Sequence, residues 1–288
     1  MRSNPIPLLI AVYLLALAAP ALASDGVLEI NQTCAVDTGC FPGDEPGFPV
    51  TITGVGGGSY RLTSDLALSN PATDGISIAT SNVTLDLGGF MIRCRTFSFP
   101  VFSLCGASSG GTGDGVRVTD PVAITAVEVR GGSIVGMGGA GVVLGSEAVV
   151  RDLRVLDNGD SGVAVRANSI VSDNIVRRNG LDGVALGTDS LVSGNTVSDN
   201  GSRGVFGQDG MVVSGNSISR NGQAGIAGLF AFFNIQGNMV RGNQGFGISG
   251  LALGAAYRDN VISGNAGGTV SGGIDSGGNV CDFSTTCP

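Results

Sequence analysis

The 288-residue sequence contains no histidine and no tryptophan, and no lysine either, since all 15 of its basic residues are arginine. Each absence removes a class of chemistry. Without His there is no Ser-His-Asp triad, no imidazole metal site and no side chain that switches charge near neutral pH by default. Without Lys there is neither a Schiff base nor a phosphate-loop lysine. Charged residues make up only 13% and aromatic residues only 5% of the chain, so exposed faces must be built largely from Ser, Thr, Asn and Gly. The 23 acidic residues give a formal charge of -8, which repels phosphate and argues against a nucleic-acid partner. What the chain has in excess is glycine, 50 residues of it. Disorder and collagen are excluded as explanations, because 42% of residues are apolar and there is no Gly-X-Y period.

Residues 1–23 carry the pattern of a secretory signal peptide. Met1-Arg2 precedes an apolar run from Leu8 to Ala19, and Ala21-Leu22-Ala23 supplies a small-residue cleavage site. The run is shorter than the ~20 residues a spanning helix needs, and Pro7 and Pro20 flank it. No later stretch is apolar enough to span a bilayer, so the expected location is secreted, periplasmic or at the cell envelope. Six cysteines agree with an oxidising compartment. They fall as near neighbours, Cys34 with Cys40, Cys94 with Cys105, and Cys281 with Cys287. Six cysteines allow fifteen pairings, and local pairing is expected because the pairs sit at one end, in one insertion and at the other end. A zinc site lacks both the C-x-x-C spacing and any His. Asn31, Asn82 and Asn200 each lie in an N-x-[ST] sequon, which leaves a eukaryotic secretory origin open.

From residue 150 onward the sequence repeats itself. Asn158, Asn179, Asn200, Asn221 and Asn243 recur at steps of 21 or 22, with Asn265 after them; a second series, Asn174, Asn195, Asn216, Asn238 and Asn260, keeps the same steps. Four residues after each member of the first series stands Gly162, Gly183, Gly204, Gly225 or Gly247, always followed by Val or Ile. Three apolar columns share the period: Val163, Val184, Val205, Ile226, Ile248; Val171, Val192, Val213, Ile235, Tyr257; and Val176, Val197, Ile218, Val240, Ile262. β-Branched residues between Gly, Asn and Asp turn signals are strand chemistry, and a fixed period marks a solenoid. Three short strands per coil describe a parallel β-helix. Stacking then predicts a dry core from the apolar columns, ladders of side-chain amides from the Asn columns, and pairing along Asp157, Arg178, Asp199 and Arg220.

These G-[VI]-x-[VL] and [GD]-N-x-[VI]-x-x-N units resemble the right-handed parallel β-helix family, whose fold is that of the pectate lyases and whose repeat occurs in many exported bacterial proteins. The expected fold is all-β, a single-stranded right-handed solenoid of about eight coils of 21–22 residues with disulfide-bonded end caps. The expected organisation is an N-terminal cap over 24–70, the β-helix over 71–279 with an insertion at 91–114, and a C-terminal cap over 280–288. Gly136, Gly138 and Gly141 also satisfy G-x-G-x-x-G, but they precede the strand-like Val142-Val143-Leu144 rather than a helix, against a dinucleotide site.

The best polar constellation follows from stacking: Arg130 over Arg151, and Asp152 over Asp173. Two carboxylates one coil apart beside arginines match the separation of a retaining glycosidase, and the resemblance implies that members acting on acidic polysaccharides pair carboxylates with a basic residue on an outer face. An exposed ion cluster at a turn is the structural alternative. Tyr60 and Tyr257 are the candidate sugar-stacking rings. Polygalacturonase-like members use His and Lys beside clustered Asp, and this chain has neither. The expected function is therefore an exported, non-catalytic β-helix, a structural, surface or glycan-binding module without cofactor, whose partner is a polysaccharide or cell-surface glycan. The alternative is a carbohydrate-active enzyme, a polysaccharide lyase, hydrolase or epimerase working on the flank of the helix, for which the lyase resemblance implies calcium.

Overall fold

The computed structural model describes residues 26–54, 56–98, 101–106, 110–229, 232–285 and 287; the expected signal peptide lies outside the described residues. In the regular part of the chain each coil contains three short strands, for example Val184–Leu186, Leu191–Ser193 and Thr196–Ser198. Each pairs in parallel with its counterpart one coil on, Val184 with Val205, Val192 with Val213, and Val197 with Ile218. Repetition turns the three strands into three parallel sheets wound around a common core. They are called here the first, second and third sheets in the order in which a coil visits them.

The strands are short because each coil turns three corners, and each corner is closed by a residue with positive φ. In one coil these are Asn168, Asp173 and Arg178, with φ of 57°, 59° and 55°. Gly, Asp and Asn dominate the corner columns because a missing or short polar side chain tolerates the left-handed region. Ala126, Glu147 and Phe232 also take this conformation, and at the corner after the third sheet the exceptions are Arg178 and Arg220. Each is held by two charge-assisted bonds to the Asp of the preceding coil: Arg178 to Asp157 at 2.7 and 2.8 Å, and Arg220 to Asp199 at 2.7 and 2.9 Å. The predicted column therefore pairs two by two, and Asp199 takes its third bond from Arg177 rather than Arg178. These bonds, Arg220 first, lower the Asp199 carboxyl to about 2.

The core is the predicted set of columns. Val163, Val184 and Val205 in the first sheet, Val171, Val192 and Val213 in the second, and Val176, Val197 and Ile218 in the third are fully buried. The Asn columns form two buried ladders. Asn174 donates from Nδ2 to Asn195 Oδ1 at 3.0 Å, and the same oxygen accepts the Asn174 backbone N–H at 2.9 Å. The rung repeats through Asn216, Asn238 and Asn260 to Asn279, while the other ladder runs from Asn158 through Asn179, Asn200, Asn221 and Asn243 to Asn265. Each amide thus satisfies a backbone donor that a strand end leaves open. Asn200, the third sequon asparagine, is one of these buried rungs.

The solenoid has about ten coils, against the eight expected. The surplus comes from the irregular N-terminal segment. Val27–Ile30 pairs with Gly58–Leu62, Val50–Ile52 with Ile76–Ile78, and Leu66–Leu68 with part of Met91–Ser98, all in parallel. The segment expected to cap that end thus also contributes strands to the ladder; its corner spacings hide the period. Of the expected insertion, Met91 and Ile92 still lie in the third sheet, and an antiparallel hairpin leaves it with Arg95 facing Leu104. Disulfides join Cys34 to Cys40, Cys94 to Cys105 and Cys281 to Cys287, the local pairing. The step from 21 to 22 residues also has a location. Gly207 pairs with Gly228, but Val212 pairs with Asn234, so the extra residue enters at the corner between the first and second sheets. Among the described residues no helix is long and apolar enough to cross a membrane.

Val184→Asp should collapse the stack, since an unpaired carboxylate would lie among buried valines. The expected loss is about 4 kcal/mol or more, read as a large drop in melting temperature by circular dichroism. A parent-like melt would overturn the register.

Candidate functional site

The structure places the expected carboxylate cluster on an exposed corner between the second and third sheets. Arg130 and Arg151 are paired neighbours, and Asp152 and Asp173 occupy successive positive-φ positions after them. Both arginines are already neutralised. Arg151 binds Glu128 Oε1 through Nε at 2.9 Å and Nη2 at 2.7 Å, and Asp152 through Nη1 at 2.8 Å. Arg130 contacts Glu128 at 3.4 Å and Asp86 at 3.5 Å. Asp152 and Asp173 are exposed, and their position is explained locally, because Asp is among the few side chains that accept the corner conformation. Tyr60 and Tyr257 cannot serve as sugar platforms. Both are buried in the core, and Tyr60 packs edge-on against Phe41 at 5.2 Å. Burial raises both phenols above their usual range, with Asp275 adding to the effect at Tyr257.

The concave chemistry lies on the outer face of the first sheet. One outward column there reads Ser77, Arg117, Val143, Ala164, Ala185, Phe206 and Ala227 in consecutive coils. Its small members form the floor of two adjoining concavities. The larger, about 570 Å³, runs over Val143, Ala164 and Ala185 to Phe206, with Ser146, Arg166, Thr188 and Gln208 along one bank. The smaller, about 340 Å³, shares Val143 and Ala164 and is lined by Thr112, Asp114, Asp160 and Ser161. Together they make a groove parallel to the solenoid axis, because its floor residues are stacked neighbours.

One end of this groove is acidic and tightly organised. Asp74 and Asp114 there, like Asp182 further along the groove, each precede the glycine that opens a first-sheet strand. The carboxylate of each accepts the backbone N–H at the same position one coil on: Asp114 N–H to Asp74 at 2.7 Å, Ala140 N–H to Asp114 at 2.6 Å, and Arg203 N–H to Asp182 at 3.0 Å. Arg117 lies 3.5 Å from the Asp114 carboxylate and 3.8 Å from that of Asp74. Desolvation is the main cause that raises the Asp114 carboxyl to about 6; Asp74 and Asp160 reinforce it, while the Ala140 hydrogen bond and Arg117 oppose it. At the other end Arg203 forms a bidentate pair with Asp182 at 2.9 and 2.7 Å and places its Cζ over the Phe206 ring, 3.4 Å from its centre. Sequence reading missed this site because the hairpin separates Asp74 from Asp114 by 40 residues. The recurring triplets Asp74-Gly75-Ile76, Asp114-Gly115-Val116 and Asp182-Gly183-Val184 were the available signal.

Among the described residues no group of three or more Asp, Glu or Cys side chains is disposed to hold a metal ion.

The sequence matches the family described as right handed beta helix region over residues 56–206, just over half its length. The chain belongs to the right-handed β-helix family. No curated protein matches it. Among solved structures, the β-helix resembles the A-module of the Azotobacter vinelandii mannuronan C-5 epimerase AlgE4, with a TM-score of 0.51, 19% identity, and 75% of this chain and 72% of that one covered. The AlgE6 A-module of the same organism follows with a TM-score of 0.49, 18% identity and 75% and 70% coverage. The GH136 lacto-N-biosidase of Eubacterium ramulus has a TM-score of 0.48, 10% identity and 88% and 67% coverage. At 19% identity the likeness to the AlgE4 A-module shows a shared fold and nothing more.

The raised Asp114 carboxyl sets a sign for stability. Between the unfolded value, near 4, and about 6 the native state holds the extra proton, so stability falls as pH rises through that window and the penalty is complete above it. Asp114→Asn keeps an acceptor for the Ala140 N–H and removes the penalty. The variant should gain up to roughly 3 kcal/mol relative to the parent on going from pH 4 to pH 7.5. Denaturant midpoints at the two pH values check this; equal pH dependence in both proteins would contradict it.

Proposed function

We propose that this chain is an exported, non-catalytic β-helix that binds a glycan in the first-sheet groove between Asp114 and Phe206. The observation that carries the reading is the groove itself. A methyl-lined floor of Val143, Ala164 and Ala185 faces the apolar side of a sugar, and hydroxyl, amide and carboxylate groups on both banks, Ser146, Thr188, Gln208, Thr112 and Asp160, face its hydroxyls. That combination of an apolar bed with a few placed polar groups is the usual build of a small-ligand site. The AlgE4 A-module, which shares the fold, is a mannuronan epimerase by name, and this supports a polysaccharide as the ligand class. The signal-peptide pattern and three disulfides support a secreted, periplasmic or envelope location.

Titration calorimetry with panels of neutral and acidic oligosaccharides should detect binding by the mature protein. Ala164→Phe, which fills the groove from an outward position, should weaken it on the order of tenfold or more without lowering the melting temperature. Undiminished binding by that variant would move the ligand elsewhere on the molecule.

A second reading, a carbohydrate-active enzyme, is favoured by one observation: Asp114, with its carboxyl raised to about 6, faces the groove beside Arg117. A group with that value holds or releases a proton at mildly acidic pH and so can act as a general acid or base. This reading expects polysaccharide turnover whose rate changes near pH 6 and which Asp114→Asn abolishes while oligosaccharide affinity is kept. Turnover lost instead in Asp173→Asn would place the chemistry on the corner cluster.

A further inference from the structure

The groove has an end, and one side chain makes it. In the outward column of the first sheet every residue from Val143 to Ala227 is small except Phe206. Upstream of the ring, Ala164 and Ala185 are partly exposed in the groove floor; immediately downstream, Ala227 is covered, at 8% exposure. The ring is also braced. Arg203 lies over it at 3.4 Å and is itself fixed by its bidentate pair with the nearly buried Asp182. A guanidinium stacked on an aromatic face and locked by a carboxylate loses little freedom to a ligand, so the ring stays put as a wall. Upstream, one coil before Val143, the column reaches Arg117, which is held between Asp74 and Asp114.

We propose that Phe206 is a stop that sets ligand length, so that the groove takes the terminus of a glycan chain rather than its interior. The proposal rests on the glycan-binding reading above. From Arg117 to Phe206 the column advances four coil spacings, about 19 Å. The end residues occupy two of those five positions, so the open floor is Val143, Ala164 and Ala185, and at roughly one sugar per ~4.8 Å coil spacing it accommodates about three units, the last of them against the Phe206 ring. The specificity arises from exclusion, since the wall rejects whatever continues past it.

Affinity measured by titration calorimetry against a length series of the best-binding oligosaccharide tests this. In the parent protein affinity should rise with length and level off at about three units. In Phe206→Ala, which extends the floor toward Ala227, affinity should keep rising beyond that point, on the order of threefold or more in total. Ala185→Phe moves the wall one coil upstream and should shorten the preferred length by about one unit; it uses a position outside the core, so a melting curve like the parent's accompanies the result. If Phe206→Ala levels off where the parent does, or Ala185→Phe keeps the parent's length preference, the stop is wrong while the groove reading stands. If no oligosaccharide of any length binds the parent protein, the groove reading fails and the stop with it.

Discussion

Every feature of this molecule depends on keeping successive coils in register, and the buried asparagine ladders are the interaction that does so. A three-residue strand offers too few backbone bonds to fix its own alignment. A rung supplies what is missing: the Asn oxygen takes both the side-chain and the backbone N–H of the coil before it, as Asn195 does for Asn174, while its own amide group also reaches the Val171 carbonyl. Each bond is worth about 1 kcal/mol net, but an unmatched buried amide costs more than a matched one gains, so a slipped rung is penalised twice. Among the described residues only Arg177 Nε is a buried side-chain polar atom without a partner.

The same register determines how the charges are used. With arginine as the sole basic residue, the regular coils use its planar fork where geometry has to be held. Arg178 and Arg220 stabilise corner conformations that a long side chain would otherwise resist, and Arg203 braces the Phe206 ring. A lysine at these places would supply charge without the two parallel bonds. Such pairs at exposed corners add little stability each; their value lies in orientation.

Much of this was legible in the sequence because a solenoid converts spacing into contact. The 21-residue columns gave the core, the Asn rungs and the Asp157–Arg178 and Asp199–Arg220 pairs directly. Legibility failed where the period failed. The strands within 27–68 lie at irregular intervals, so the coil count came out low, and the hairpin between Cys94 and Cys105 hid the adjacency of Asp74 and Asp114. Asp152 and Asp173 stood out as paired carboxylates, yet the backbone alone accounts for Asp at those corners. Tyr257 belonged to an apolar column from the outset, and its place in the core follows from that column rather than from its hydroxyl. The groove was the least readable feature, since it consists of what Ala164 and Ala185 lack, and small outward residues leave no mark in a hydropathy pattern.

The location of the twenty-second residue has a wider consequence. A single insertion within a strand would send its inward side chains outward, whereas the corner between Gly228 and Asn234 absorbs one with all three sheets intact. Whole coils can likewise be gained or lost without altering the contacts inside the others, because each touches only its neighbours. A binding surface built on such a scaffold changes length in fixed increments of one coil, ~4.8 Å, so duplication of a repeat upstream of Phe206 would lengthen the bounded groove by about one sugar. Ligand size in this architecture is a digital variable, set by how many coils separate two side chains.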